Sequence, residues 1–158
     1  MDHPAMILIE RIELPVRGFQ QLMAEASAER YNFMNTLAAE WASGSNRFDA
    51  PGEILCGHAD EGLVVAVGGV NIDPYVGRPN VGRLRRIYVR PAWRNRGIGR
   101  ALVSTLVEKA GKDFEYLRLR AENPAAIRLY ESMGFTAIVD PAATHILSLR
   151  ERNTEKPV

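Results

Sequence analysis

The sequence predicts an α/β protein of the α+β kind: a mixed, mostly antiparallel central sheet of six to seven strands with helices on both faces. Three observations carry this. Some short stretches alternate or run apolar, as strands do, and others place apolar residues three and four apart, as helices do. Their order is β-α-α-β-β-β-α-β-α-β-β, with strands in succession followed by alternation. The 158 residues, 46% hydrophobic and 25% charged, suffice for one real core and are too few for two ordinary ones. A single domain is expected over 1–150, with a polar tail at 151–158.

The stretch MILIERIEL (6–14) alternates as a first strand, and Pro15 ends it. Phe19, Leu22, Met23 and Ala26 recur at helical spacing, as do Phe33, Met34, Leu37, Ala38 and Trp41. These are two helices or one broken helix, ending near Gly44. After the loop SGSNRFDAPG, the runs EILCGHA (53–59) and LVVAVGGVNI (63–72) flank a hairpin turn at DEG. A turn-rich DPYVGRPN precedes the strand GRLRRIYV (82–89). Pro91 has no amide proton, so the ladder should break there. From Ile98, the row Leu102, Leu106, Ala110 with Val103 and Val107 beside it makes an amphipathic helix to about Gly111. EYLRLRA (115–121) is a strand. In ENPAAIRLYESMGF, Asn123 fits the N-cap, Pro124 the first helical position and Gly134 the position after the helix. FTAIVD (135–140) and THILSLR (144–150) close the sheet.

The formal net charge of +1 excludes a general polyanion binder. Yet eight of the seventeen arginines lie between Arg78 and Arg100, a window without Asp or Glu. That points to a small anionic partner. Aromatic residues do not interleave with the run beyond Tyr88 and Trp93, so nucleic acid is not expected. The single cysteine, Cys56, allows no internal disulfide and suits a reducing, cytoplasmic setting. The opening MDHPAMILIERIEL has neither a basic n-region nor a long apolar h-region, so no signal peptide is expected. No run approaches a membrane span. His3, His58 and His145 lack ligand spacing, so no metal is expected.

A strand, an Arg/Gly turn and a helix together form an anion site. The first amides of a helix have no intrahelical partner, its dipole is positive at that end, and glycine lets a phosphate approach. A P-loop is absent, and a dinucleotide fingerprint fails because its third glycine position is Leu102 and seven residues separate Val89 from Gly97. The pattern present is Arg-x-x-Gly-x-Gly: Arg94, Asn95, Arg96, Gly97, Ile98, Gly99. It resembles the pyrophosphate loop of the GNAT superfamily of N-acetyltransferases. LRRIYVRPAWRNRGIGRAL resembles that family's strand, Pro-containing bulge, loop and helix, and NPAAIRLYESMGF its later helix–Gly–Phe segment. The likeness runs over roughly 6–150 and is sharp from about 84 to 135.

The resemblance implies a GNAT fold with a splay between the fourth and fifth strands and acetyl-CoA as co-substrate in the gap. It implies that the pantetheine arm pairs with the backbone of Ile87 and Val89, around Tyr88. The pyrophosphate would meet the loop from Arg94 through Asn95, Arg96, Gly97, Ile98 and Gly99 to Arg100. Asn123 would touch the cofactor arm as well as cap its helix. Tyr130 would protonate the departing thiolate, and the Val89 amide would face the oxyanion. The acceptor would be a small-molecule amine, acetylated directly. A protein lysine or N-terminus, or an acyl-CoA-binding module without turnover, remain the alternatives. The protein would be a monomer or homodimer, without nucleic acid or membrane partners.

Two departures bear on the base. A glutamate that many relatives carry on the central strand matches Arg83, and one that others carry on the next strand matches Arg118. Glu122, at the end of the fifth strand, is the best remaining carboxylate, though it reads more readily as a solvated residue before a helix. His58, Glu61 and His145 are weaker candidates. The segments with Asp73 and Tyr75, and with Glu29, Tyr31 and Asn32, are candidate walls of the acceptor pocket. If Arg83 or Arg118 faced that pocket, it would repel an ammonium and could hold an acceptor's carboxylate in a bidentate pair.

Overall fold

In the computed structural model, residues 6–150 are described. His3 and the tail over 151–158 lie outside them. The elements follow the expected order: β1 (Glu10–Arg11), α1 (Phe19–Ala28), α2 (Phe33–Ser43), β2 (Ile54–Asp60), β3 (Leu63–Ile72), β4 (Val81–Val89), α3 (Ile98–Ala110), β5 (Tyr116–Leu119), α4 (Pro124–Ser132), β6 (Thr136–Ala137) and β7 (His145–Ser148). One mixed seven-stranded sheet runs in the order β1-β2-β3-β4-β5-β7-β6. β4 and β5 pair in parallel, whereas β1–β2, β5–β7 and β6–β7 are antiparallel.

Backbone packing divides the chain into two compact units. Among the described residues, the first holds 6–47, Leu55–Gly68 and Arg86–Val103. In it α1 buries Phe19, Leu22 and Ala26, and α2 buries Met34 and Leu37, whereas Met23, Phe33, Ala38 and Trp41, also picked out by helical spacing, are half-buried. Gly44 ends α2 in the left-handed conformation, with its amide bonded to the Trp41 carbonyl. The β2–β3 turn is Glu61–Gly62, with φ of 51° and 80°. Positive φ at both central residues is the turn whose twist matches a two-residue hairpin, and this explains the DEG signal.

Among the described residues, the second unit holds Phe48–Ile54, Gly69–Arg85 and 104–150. Its parallel register aligns Val81 with Tyr116, Gly82 with Leu117 and Arg83 with Arg118. β4 then runs on to Val89, and Arg86–Val89 belongs to the first unit. A parallel pair confined to the start of β4 fits the expected splay. On α3, Ile98, Leu102, Val103, Leu106, Val107 and Ala110 are all buried, as the periodicity required.

The outer strands are shorter than expected. Only Glu10 and Arg11 of the 6–14 stretch pair in the sheet, opposite Gly57 and Cys56. Met6 and Leu8 are 91% and 58% exposed, so their alternation lines no core. β6 pairs over Thr136–Ala137, the Ile138 amide adds one more bond in the same register to the Thr144 carbonyl at 2.9 Å, and the strand ends at Val139, which is fully exposed.

Candidate active site

In the first unit, β4 carries Arg86 at φ +61°. A residue with a Cβ in the left-handed region inside a strand breaks the pleat. The distortion expected near Pro91 therefore begins five residues earlier. After Arg90, whose amide still donates to the Val65 carbonyl at 2.8 Å, a single 3-10 turn spans Pro91–Trp93 and takes the donorless proline out of the ladder. Asn95 and Gly97 are both left-handed, at φ 63° and 83°. Such residues within a turn aim backbone amides into a concavity that suits an anion. The first bond of α3 runs from the Ala101 amide to the Gly97 carbonyl at 3.0 Å. The amides ahead of it stand at the positive end of a 13-residue helix. Arg96 and Gly97 are exposed there, and Ile98 is buried as the anchor of the helix.

Arg94 has a different placement. Its guanidinium forms a fork with the Glu29 carboxylate, at 2.8 and 2.6 Å. Its Nε donates to the Val89 carbonyl at 2.9 Å. Its Cζ lies 5.4 Å from the Tyr88 ring centroid. Tyr88 also donates its hydroxyl to Glu29. The Arg94 fork, with help from the Tyr88 hydroxyl, holds the Glu29 carboxyl below the usual carboxylate range. Burial, reinforced by the Glu29 carboxylate, drives the Tyr88 phenol well above its ordinary value. Tyr31 and Phe33 pack on the same ring at 6.2 Å, so the segment between α1 and α2 closes around Tyr88.

Two further pairs repeat the arrangement. Arg90 forks with Glu25 at 2.8 and 2.9 Å and covers the Trp93 ring. Arg86 reaches Glu40 at 3.1 Å. Arg86 of β4, with Arg90 and Arg94 at four-residue steps beyond it, thus meets Glu40 of α2, while those two meet Glu25 of α1 and Glu29 just after it. Sequence reasoning missed these pairs; the i, i+4 spacing of Glu25 and Glu29 matches that of Arg90 and Arg94, but nothing in the sequence aligns the two.

In the second unit, Tyr130 on α4 is 7% exposed, with its ring edge-on to Phe135 at 5.7 Å. Burial pushes its phenol up to about 12. Among the described residues its hydroxyl takes no hydrogen-bond partner. Asn123 caps α4, accepting from the Ala125 amide at 2.8 Å and the Ala126 amide at 3.4 Å. Glu122 is a surface group: its side chain is 79% exposed and sits 3.4 Å from Arg120. Alternation explains this, since Ala121 between them takes the buried position.

Arg83 and Arg118, neighbours across the parallel pair, are both buried, with Asp73 between them. Asp73 is 1% exposed and lies 3.4 Å from Arg83 and 3.5 Å from Arg118. Its other oxygen accepts the Tyr75 and Val76 amides. Arg83 also donates to the Ala142 carbonyl at 2.7 Å, and Arg118 to Asp140 at 2.8 Å. Two arginines facing two aspartates make a balanced cluster. Its guanidiniums face the protein's own carboxylates and the Ala142 carbonyl, although Arg118 Nε makes no hydrogen bond among the described residues. The remaining base candidates are also committed or remote. His58 contacts the Leu8 carbonyl, Glu61 sits at the hairpin tip, and His145 is buried between Thr144 and Glu131. Among the described residues no three His, Cys, Asp or Glu side chains gather as a metal site, and no helix is long and apolar enough to cross a membrane.

A family model described as the acetyltransferase (GNAT) family matches residues 19–135. N-alpha-acetyltransferase RimI of Mycobacterium tuberculosis is 38% identical over 71 residues, covering 40% of this chain and 45% of that protein. The L-methionine sulfoximine/L-methionine sulfone acetyltransferase of Salmonella typhimurium is 42% identical over 53 residues, covering 32% of this chain and 31% of that protein. The match thus spans less than half the length of these curated relatives. A candidate acetyltransferase from Exiguobacterium sp. 255-15 has a similar solved structure, with a TM-score of 0.84 at 25% identity over 96% of this chain and 99% of the other.

Proposed function

Because the chain belongs to the acetyltransferase (GNAT) family, we propose that it transfers an acetyl group from acetyl-CoA directly to a primary amine of a small molecule. The observation that carries the cofactor reading is the left-handed turn at Asn95 and Gly97 ahead of α3. Its amides, with those of Arg96, Gly99 and Arg100, suit a diphosphate. The backbones of Ile87 and Val89 serve the pantetheine arm as an added strand. The thioester supplies the activated acyl group. The chain's own work is to orient it, to oppose charge on the carbonyl oxygen with the Val89 amide, and to hold a proton at the Tyr130 oxygen for the leaving sulfur. Tyr130 suits that role, because its phenol is protonated at neutral pH and makes no competing bond among the described residues.

The acceptor reading rests on basicity. Arg83 and Arg118 occupy the places where relatives carry glutamate, and Asp73 beside them is held by two guanidiniums and two amides. A site without a dedicated carboxylate base suits amines that are already partly neutral. An α-amine of pKa about 7.7–8.0 is on the order of a tenth neutral at pH 7, whereas an ε-amine near 10.4 is almost wholly charged. An acceptor carboxylate gains no ligand from Arg83 or Arg118 in this arrangement, so that part of the expectation is not carried forward. The likeness to an N-alpha-acetyltransferase favours a second reading, a protein N-terminus, which shares the α-amine.

The test is thiol release from acetyl-CoA with amino acids, short peptides with free N-termini, and polyamines. Turnover of free amino acids above peptides is the expected result. Peptide preference moves the assignment to the second reading. Polyamine preference overturns the basicity argument, and cofactor binding without any thiol release reduces the protein to an acyl-CoA-binding module.

A further inference from the structure

We propose that Glu29 is a positioning residue for the diphosphate-binding loop, acting through Arg94 and not on the ligand. This rests on the reading of residues 94–100 as the cofactor's diphosphate site. The first arginine of the motif invites the assumption that its charge meets phosphate. Three of its five N–H donors are instead engaged on the protein side: two on Glu29 at 2.8 and 2.6 Å, and Nε on the Val89 carbonyl at 2.9 Å. The Tyr88 ring lies against the same guanidinium, and the Tyr88 hydroxyl donates to Glu29. The carboxylate therefore has three donors, and the guanidinium is held by Glu29 at the end of α1 and by Val89 and Tyr88 of β4.

The next residue along the chain shows what this grip is for. Asn95 sits at φ 63° and Gly97 at 83°. A residue with a Cβ is held in the left-handed region only where its surroundings over-determine it. Arg94, one bond upstream, is that determinant: fixed at φ −73° and ψ 160°, it delivers the chain into the turn. Glu29 closes α1 from 65 positions away in sequence, so the loop's shape depends on a residue far outside the motif.

The alternative is that Arg94 swings to the phosphates when the cofactor binds and that Glu29 merely parks it. The two ideas predict opposite signs. In the alternative, Glu29→Gln frees a cation and adds one unit of positive charge near a polyanion, so acetyl-CoA binds more tightly. In the proposal the same variant loosens the loop, and acetyl-CoA binds about tenfold more weakly, the scale of one lost charge-assisted hydrogen bond. The weakening must appear as a raised KM for acetyl-CoA with kcat nearly unchanged. It must be absent with S-acetylpantetheine, which lacks the diphosphate. General damage to the unit would raise both. Arg94→Lys keeps the charge but not the fork, so it should match Glu29→Gln, and the double variant should be no worse than Arg94→Lys alone.

The experiment is calorimetric titration and steady-state kinetics on the full chain, with thermal melts of each variant. Tighter or unchanged acetyl-CoA binding in Glu29→Gln overturns the proposal, as does an equal loss with S-acetylpantetheine. If Glu29→Gln does not fold, Arg94→Lys carries the comparison between the two donors with the same criteria. Failure of the wild type to bind acetyl-CoA would overturn the functional reading itself, and the proposal with it. Binding by the wild type with the wrong sign in the variant overturns the proposal alone.

Discussion

Replacing Tyr130 by Phe separates chemistry from stability, because the structure makes the two effects unequal. The ring stays: it is 7% exposed and packs edge-on to Phe135 at 5.7 Å, and neither contact needs the oxygen. The hydroxyl takes no protein partner among the described residues, so its removal strands no donor or acceptor. Stability should therefore change by no more than about 0.5 kcal/mol. The reaction is another matter. A general acid contributes about 10²–10⁴-fold, or roughly 2.7–5.4 kcal/mol at 1.36 kcal/mol per tenfold. The kcat for thiol release should fall by that factor with little change in KM for acetyl-CoA. Burial raises the phenol to about 12, so the wild-type group keeps its proton through the neutral and mildly alkaline range. It should contribute no alkaline loss of kcat below about pH 11. The assays are steady-state thiol release between pH 6 and 10 and a thermal melt. Wild-type kcat in the Phe variant would show that the ring only packs. A melt lowered by many degrees would show that the oxygen has a structural partner.

Two further substitutions test the frame around the site. Asp73→Asn keeps an oxygen for the Tyr75 and Val76 amides but removes the charge facing Arg83 and Arg118 at 3.4 and 3.5 Å. Breaking a buried pair costs about 3–5 kcal/mol. Asp140 still serves Arg118. The lower end of that range applies, a Tm drop of roughly 6–12 °C for a chain of this size; an unchanged melt would mean the cluster is not stabilised by its charges. Gly97→Ala has room for its methyl, since the nearest heavy atom is Ile7 Cδ1 at 3.7 Å, so any penalty comes from φ +83° alone. That strain of about 1–2 kcal/mol should weaken acetyl-CoA binding by roughly five- to thirtyfold. Unaltered affinity in calorimetry would remove the turn from the diphosphate site.

The inner elements were legible because burial enforces period and caps enforce ends. The α3 row from Ile98 to Ala110 and the Asn123 cap of α4 came out at the expected residues. The outer strands were not legible for the converse reason. The 6–14 stretch alternates like a strand, yet it pairs only at Glu10 and Arg11, and its exposed Met6 and Leu8 show that alternation without a core to face sets no length. β6 reads as six residues and pairs over two, because Val139 points to solvent and Asp140 accepts from the Ala142 amide to shape a turn. Edge elements answer to neighbours that a local window does not contain.

The site was legible where it is made of backbone and illegible where it is made of side-chain charge. Glycine spacing foretold a turn into a helix, and Gly97 is left-handed at the head of α3. The arginine run foretold an anionic partner, on the reasoning that its own window offers no carboxylate. That inference takes nearness in sequence for nearness in space. Arg83, Arg86, Arg90 and Arg94 meet Asp73, Glu40, Glu25 and Glu29, from 10, 46, 65 and 65 positions away. Half of the eight clustered arginines are thus answered by the protein's own carboxylates, and their charge contributes little field at the loop. What remains positive there, beside the exposed Arg96, is the open end of α3 and the amides of a left-handed turn, and these backbone donors need no net charge to bind an anion. The ion pairs then matter for shape: they fix a turn containing Asn95, which a chain without them would not hold. On the proposed reading, selection of a diphosphate over any small anion follows from that fixed concavity more than from the count of arginines around it.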